Sequence, residues 1–279
     1  MLRDATCRPL EVITLSSHQL PVTNRLWRTA TALNVPVRLI PCYEHGKKRR
    51  LYVQELQTMC PETFVLCMDG YDTFFRCDAT DLRNRLLASG ARVLVAAERL
   101  FSFQHPSRLP LFDELWRAHG NGSSYRYLNS GIVGGRARDL LTFYNYTLQL
   151  PAPFHHLSDN NAGSDQAYVS DALLDTRGVL PHPRFAQLDY GNSVSYSASG
   201  KDWGGKGHNR PWAIDRVTKT DPCIVHVPGQ GIKNQSPSPT DLLNKLFEKF
   251  ARGNVPAAVN LTAEQRAVRN GTFVASRLV

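Results

Sequence analysis

Long hydrophobic runs are missing from this sequence. No segment reaches the ~18 uninterrupted apolar residues that a helix needs to cross a membrane. The first residues, Met1-Leu-Arg-Asp-Ala-Thr-Cys-Arg, also lack the apolar core of a secretory signal, so we expect any such leader to lie outside them. The chain has 279 residues, of which 42% are hydrophobic and 20% charged. This balance is that of an ordinary globular protein with room for one large domain or two small ones.

Several familiar site motifs are absent as well. The first predicted strand leads into Leu15-Ser-Ser-His18, without the glycines of a dinucleotide-binding fingerprint. No Gly-x-x-x-x-Gly-Lys-Ser/Thr occurs, which excludes a P-loop, and no Gly-x-Ser-x-Gly occurs, which excludes a nucleophile elbow. The six cysteines include no Cys-x-x-Cys pair and no zinc-ligand spacing. Their even number permits disulfides, but the spacing does not require them.

Charge and glycosylation sequons point to different compartments. The net charge is +9, and part of it is local, in Lys47-Lys-Arg-Arg50. Such a run is typical of a solvated helix end, or it binds an anion, either nucleic acid or the phosphates of a nucleotide. Sequons matter only in a secretory compartment. Five are present, at Asn121, Asn145, Asn234, Asn260 and Asn270.

The hydrophobic pattern alternates between strands and helices. Apolar runs predict strands at Leu10–Leu15, Val35–Ile40, Phe64–Met68 and Ala91–Ala97. Helices are predicted at Asn24–Leu33, Arg49–Met59, from Asp78 onward, at Ala137–Leu148 and at Thr240–Phe250. Alternation at this pitch predicts an α/β fold with a mainly parallel sheet and helices on both faces.

The most informative stretch is Phe64-Val-Leu-Cys-Met-Asp69-Gly-Tyr-Asp72. A strand that reads as buried ends there in two carboxylates, and ligands of open α/β sheets collect at the carboxyl ends of such strands. Asp69 and Asp72 could bind a hard divalent cation and, through it, a diphosphate. The alternative is an Asp-Gly turn with solvated carboxylates. The strand pattern alone leaves both interpretations open.

Five short motifs are spread over most of the chain. They are Asp69-Gly-Tyr-Asp72, Ala96-Ala-Glu98, Tyr127-Leu-Asn-Ser-Gly-Ile-Val-Gly-Gly135, Ser164-Asp-Gln166 and Ile224-Val-His226. In this order they resemble the glycosyltransferase domain of the procollagen lysyl hydroxylase and glucosyltransferase family, over about Val12 to Lys233. More distantly, the metal motif and the overall pattern are similar to the kinetoplastid base J glucosyltransferase, which modifies hydroxymethyluracil in DNA.

The resemblance implies a GT-A-type fold, a UDP-sugar donor and a manganese ion (Mn2+) held by Asp69, Asp72 and His226. A short apolar strand, Cys223-Ile-Val, leads to His226, which without the other motifs reads as a core histidine. Tyr71 matches an aromatic residue expected against the uracil. We expect the other donor-binding positions to be Thr14, Ser16, Lys48, Asn129, Ser130, Gly131, Gln166, Gly229, Gly231 and Lys233.

Asp165 is the candidate catalytic residue. It stands at the start of a predicted helix, where its alternative role is an N-terminal cap. The matching position of the family lies beside the donor sugar and acceptor. This implies that Asp165 orients the sugar or, if the reaction inverts, acts as the base on the acceptor hydroxyl. Family members carry a longer acidic run here, whereas this chain has Asn160-Asn-Ala-Gly-Ser, which leaves the stereochemistry and the acceptor open.

The expected activity is metal-dependent transfer of a hexose, glucose or galactose, from a UDP-sugar to a hydroxyl group. One acceptor is hydroxylysine or its galactoside in a collagen-like protein, in the endoplasmic reticulum lumen. The other is hydroxymethyluracil in DNA, in the nucleus or cytoplasm. A non-catalytic nucleotide- or DNA-binding module is the third hypothesis, and the intact Asp69, Asp72 and His226 argue against it.

The expected organisation is a single GT-A domain over residues 8–236, followed by a C-terminal helix and tail over residues 237–279. Within the domain we expect a nucleotide-binding half over about residues 8–135 and an acceptor-binding half over about residues 136–236. These boundaries follow the resemblance.

Overall fold

The computed structural model describes residues 7–16, 24–42, 47–102, 104–151, 164–174, 185–198, 220–228 and 239–251. The helices are α1 Arg25–Ala32, α2 Lys48–Leu56, α3 Ala79–Ala88, α4 Leu109–His119, α5 Ala137–Gln149, α6 Asp165–Leu173 and α7 Pro239–Ala251. The strands are β1 Leu10–Ser16, β2 Val37–Pro41, β3 Phe64–Asp69, β4 Thr73–Phe75, β5 Val93–Glu98, β6 Tyr127–Arg136, β7 Ala186–Leu188, β8 Ser195–Ser197 and β9 Ile224–His226. Within this part of the chain, no helix combines the length and apolarity needed to cross a membrane.

A six-stranded sheet with the order β2-β1-β3-β6-β5-β7 forms the centre of the fold. β1 pairs in parallel with β2 and β3, and β5 pairs in parallel with β7. Only β6, among these six strands, runs against the others, antiparallel to both β3 and β5. The prediction of an α/β fold with a mainly parallel sheet is therefore confirmed.

Both faces of this sheet are covered. Alternate residues of β1 enter different cores: Leu10 and Val12 enter one, and Ile13 and Leu15 enter the other. Helices α1 and α3 contribute apolar side chains to the first core, whereas α2, α5, α6 and α7 contribute to the second. This arrangement confirms the prediction of helices on both faces of the sheet.

A second, three-stranded sheet has the order β4-β9-β8. β9 is antiparallel to β4 and parallel to β8, with His226 opposite both Thr73 and Ser197. Because β4 follows β3 after a short turn, this small sheet brings β9 to the carboxyl end of β3. Sequence periodicity did not predict β4 or β8, since three residues are too few to establish a period.

Two disulfides connect segments that are distant in sequence. Cys7 is bonded to Cys60, and Cys77 is bonded to Cys223. The second bond joins the segment after β4 to the residue that precedes β9. The pairing that the spacing left open is thus settled for these four cysteines, whereas Cys42 and Cys67 are buried free thiols.

Candidate active site

Three potential metal ligands converge at the carboxyl end of β3. Asp69 is the last residue of that strand, Asp72 immediately precedes β4, and His226 is the last residue of β9. The Nε2 atom of His226 lies 3.4 Å from Oδ2 of Asp72 and 3.9 Å from Oδ2 of Asp69. One potential ligand atom from each of the three residues lies within 4.8 Å of the other two. The structure therefore brings together the three residues that the resemblance implied.

The surroundings of His226 fit a divalent cation. The residue is 1% exposed, and neither ring nitrogen has a hydrogen-bond partner among the described residues. A buried polar atom without a partner is unfavourable, so native structures rarely contain one unless a ligand or water completes it. One imidazole with two carboxylates is a donor set suited to first-row divalent metals. Burial lowers the pKa of His226, but the carboxylates of Asp72 and Asp69 raise it by more, and the same negative potential attracts a cation.

Gly131 on β6 keeps this space open. A Cβ atom at this position would lie 2.3 Å from Cε1 of His226 and 2.9 Å from Oδ2 of Asp69. Both contacts are shorter than atoms tolerate, so any larger residue would displace two of the three candidate ligands. The close approach of these two side chains to the β6 backbone therefore requires glycine at this position.

Lys48 links two of the acidic residues. It opens α2, its side chain is 10% exposed, and its Nζ lies 2.7 Å from Oδ1 of Asp69 and 3.0 Å from Oδ2 of Asp165. Burial lowers the pKa of Lys48, but Asp165 and Asp69 raise it by more, so the ammonium group stays charged. Asp165 lies in the first turn of α6, whose N-cap is Ser164, so the interpretation of Asp165 as the cap residue is wrong.

Glu98, the last residue of β5, is a buried carboxylate that accepts three side-chain hydrogen bonds. Ser102 Oγ and Gln166 Nε2 donate to Oε1 at 2.7 and 3.0 Å, and Asn129 Nδ2 donates to Oε2 at 3.3 Å. Burial raises the pKa of Glu98 to about 7, although these hydrogen bonds lower it. We did not predict Glu98 as a site residue. The sequence carries the same signal for Glu98 as for Asp69, because each is a carboxylate that ends an apolar strand.

This carboxylate orients the two amides at the edge of the site. Because the NH2 groups of Asn129 and Gln166 face Glu98, their carbonyl oxygens face the backbone of β6. The N–H of Gly131 donates to Oδ1 of Asn129 at 2.9 Å, and the N–H of Ser130 donates to Oε1 of Gln166 at 3.3 Å. One hydrogen-bonded network anchored at Glu98 therefore contains four predicted donor-binding residues, namely Asn129, Ser130, Gly131 and Gln166.

The remaining predicted positions divide into two groups. Ser16 ends β1, and its hydroxyl donates to the Tyr71 hydroxyl at 2.5 Å, so these two residues lie together. Thr14 is fully buried inside β1, and its hydroxyl has no hydrogen-bond partner within the described part of the chain. Three positions lie outside the described residues, namely Gly229, Gly231 and Lys233.

The basic run at the start of α2 is not a uniform solvated patch. Lys48 is buried in the site, and the guanidinium carbon of Arg49 lies 3.4 Å from the ring centroid of Tyr168 on α6. Lys47 and Arg50 are exposed. Half of the run is therefore engaged inside the protein, which reduces the positive surface that it offers to a polyanion.

Replacing Glu98 with glutamine should change the pH dependence of stability. The pKa of Glu98 rises from its ordinary 4.5 to about 7 on folding, so between these values the native state binds more protons than the unfolded state. The stability that Glu98 contributes is therefore present below pH 4.5 and lost as the pH rises through 7. The wild-type free energy of unfolding minus that of Glu98→Gln should fall by about 3 kcal/mol across this range.

Urea unfolding of the metal-free proteins at several pH values measures this difference. Groups that do not interact with Glu98 contribute equally to both proteins and cancel in the subtraction. A difference that stays constant, or that grows with pH, would contradict a buried carboxyl group at Glu98.

No protein-family model matches this sequence, and no curated protein matches it significantly. Among solved structures, the chain is similar to the galactosyltransferase LgtC in complex with donor and acceptor sugar analogues. That match covers 92% of this chain and 99% of the other, with 12% identity and a TM-score of 0.44. It is also similar to mouse xyloside xylosyltransferase 1 in its apo form, over 81% of this chain and 98% of the other, with 14% identity and a TM-score of 0.37. Neither similarity assigns the chain to a family.

Proposed function

We propose that this chain is a metal-dependent glycosyltransferase of the GT-A type, which transfers a hexose from a UDP-sugar to a hydroxyl group. The observation that carries the proposal is the convergence of Asp69 and Asp72 on His226, a buried histidine whose ring nitrogens have no hydrogen-bond partner among the described residues. In line with the resemblance of the five motifs, we propose manganese as the cation and glucose or galactose as the transferred sugar.

The departure of UDP is the step for which this site is suited. Asp69, Asp72 and His226 would hold the manganese, whose positive charge would stabilise the diphosphate as it leaves. The ammonium group of Lys48 provides a second positive charge, already held in place by Asp69 and Asp165. Because these side chains are fixed before the reaction, little reorganisation accompanies the developing negative charge.

The acceptor side of the reaction is assigned to Asp165. Its carboxylate lies in the same cluster as the leaving-group residues, 3.0 Å from Lys48 Nζ. A carboxylate in this place can orient the donor sugar through its hydroxyl groups or remove the proton of the acceptor hydroxyl. Asn129 and Gln166, held by Glu98, form the adjoining polar wall.

The disulfides favour an acceptor of the secretory pathway. Disulfides form and persist in oxidising compartments and are rare in the cytosol and nucleus, where DNA is modified. The partial burial of the basic run, with Lys48 and Arg49 engaged internally, also lowers the support for DNA. We therefore propose hydroxylysine or its galactoside in a collagen-like protein as the acceptor, and the lumen of the endoplasmic reticulum as the compartment.

Release of UDP from a panel of UDP-sugars, with and without manganese and with water as the acceptor, tests the proposal. Metal-dependent hydrolysis of one UDP-hexose is the expected result, and it identifies the donor. Metal-dependent binding of UDP without turnover, even when hydroxylysine peptides and hydroxymethyluracil DNA are supplied, would indicate a non-catalytic module. No response to UDP in either turnover or thermal stability would overturn the assignment of the site.

The replacement His226→Ala should raise the manganese concentration needed for half-maximal turnover. Loss of a direct ligand should lower the affinity for manganese by more than ~10–100-fold, which is the loss typical of a residue that only supports a ligand. The metal-free variant should melt below the metal-free wild type, because the substitution removes a buried side chain and the partner of two carboxylates. The rise in melting temperature on adding manganese should disappear.

The exposed His119 on α4 provides the matched control. His119→Ala should keep the wild-type manganese dependence. If His226→Ala also keeps it, His226 is a core histidine and not a ligand.

A further inference from the structure

A tight turn connects α4 to the segment that leads into β6. Asn121 and Gly122 both have positive φ angles, 47° and 76°. The N–H of Ser123 donates to the carbonyl of Gly120 at 2.8 Å and closes the turn. Positive φ at both central positions is the pattern of a type I′ turn, for which Asn-Gly is the favoured pair. Both central residues are exposed, so the side chain of Asn121 projects into solvent.

The same residues form the sequon Asn121-Gly-Ser123. We propose that Asn121 is a site of N-linked glycosylation. An Asn-x-Ser sequence in a surface turn can carry a bulky glycan without displacing any packed group. The residue type at each turn position therefore satisfies both the backbone geometry and the acceptor sequence.

A second sequon offers an internal comparison. Asn145-Tyr-Thr147 lies on α5, where Asn145 is half-buried and Tyr146 and Thr147 are 6% and 0% exposed. The Thr147 hydroxyl donates to the carbonyl of Tyr144 inside the helix. A glycan on this face would meet the packing of α5 against its neighbours, so the structure distinguishes Asn121 from Asn145. The other three sequons, at Asn234, Asn260 and Asn270, lie outside the described residues.

The disulfides supply an independent reason to expect the modification. The bonds Cys7–Cys60 and Cys77–Cys223 require an oxidising compartment during folding. In eukaryotic cells, that compartment is also where N-linked glycans are attached. This inference rests on the turn and the disulfides, so it does not depend on the proposed transferase activity.

Peptide mapping of the full chain, purified from the cells that produce it, tests the proposal. Peptide N-glycosidase in heavy-oxygen water converts each glycosylated asparagine into labelled aspartate. Because an Asn-Gly pair also deamidates without the enzyme, only label in excess of an enzyme-free incubation is counted, and we expect it at Asn121 in most molecules and at Asn145 in few. An Asn121 peptide without this label would overturn the proposal.

A matched pair of variants provides a second measurement. Asn121→Asp removes the acceptor amide but keeps a residue that tolerates a positive φ angle, so the turn should form as before. This variant should carry one glycan fewer than wild type, as measured by gel mobility and intact mass. Asn145→Gln should keep the wild-type number of glycans. Equal glycan numbers in wild type and Asn121→Asp would again contradict the assignment.

Discussion

Alanine in place of Asp72 is expected to abolish manganese-dependent turnover of the UDP-sugar. Under the proposed function, Asp72 is one of three cation ligands, and a bound metal contributes several kcal/mol of transition-state stabilisation. Since each 1.4 kcal/mol corresponds to a tenfold change in rate, the loss should be at least about a hundredfold. The fold should persist, because Asp72 contacts the residue directly after β9 through its backbone carbonyl, which accepts from the N–H of Val227 at 2.9 Å.

Two comparisons make this result specific. Asp72→Asn keeps the shape of the side chain but replaces a carboxylate with a weaker neutral ligand, so its turnover should also be low. Asp113→Ala, on α4, should behave as wild type in turnover and in manganese titration. Undiminished turnover by Asp72→Ala, with cooperative thermal unfolding retained, would remove the metal hypothesis.

Replacing Lys48 with methionine should produce the second large effect. The variant loses the positive charge that lies between Asp69 and Asp165, so those carboxylates repel each other and the leaving diphosphate loses a partner. Removing one preorganised electrostatic contact of this kind lowers kcat by about 10²–10³-fold. If Lys48 acts mainly in the transition state, kcat and kcat/KM should fall together, with little change in KM.

Lys47→Met is the natural control, because it removes one charge from the exposed neighbour of the same run. It should retain nearly full turnover. Lys48→Gln, which keeps hydrogen-bond donors but no charge, separates the loss of charge from the loss of packing if the methionine variant unfolds. Full activity in both Lys48 variants would reduce this residue to a structural role.

Most of the long elements were predictable because each carries its own signal, whereas α4 and β6 were not assigned from the sequence. Two of the predicted helices were expected to begin at Asn24 and Asp78, and both residues cap helices through their side chains, accepting from the N–H groups of Leu26 and Asp81. The direction of β6 was not predictable, since an apolar run reads the same for parallel and antiparallel pairing. The three-residue strands β4 and β8 exist only because β9 lies between them, and that pairing joins segments far apart in sequence.

The site divides in the same way. Asp69 and Asp72 were accessible to strand-end reasoning, and His226 came only with the resemblance. Lys48 was implied as a donor-binding position, but its ion pair with Asp165 depends on how α2 and α6 each pack against α5. Periodicity contains no information on such packing, and it contains none on the pairing of Cys77 with Cys223.

The disulfide between Cys77 and Cys223 bears on the effective concentration of the histidine at the two carboxylates. Asp72 and His226 are 154 positions apart along the chain, yet Cys77 is five residues after the one and Cys223 three residues before the other. Metal binding closes a loop between Asp72 and His226, and the path through the disulfide is much shorter than the path along the backbone. The shorter loop costs roughly 2–3 kcal/mol less free energy to close. The affinity for the cation is thereby coupled to thiol oxidation, so reduction of this disulfide should weaken binding of the metal.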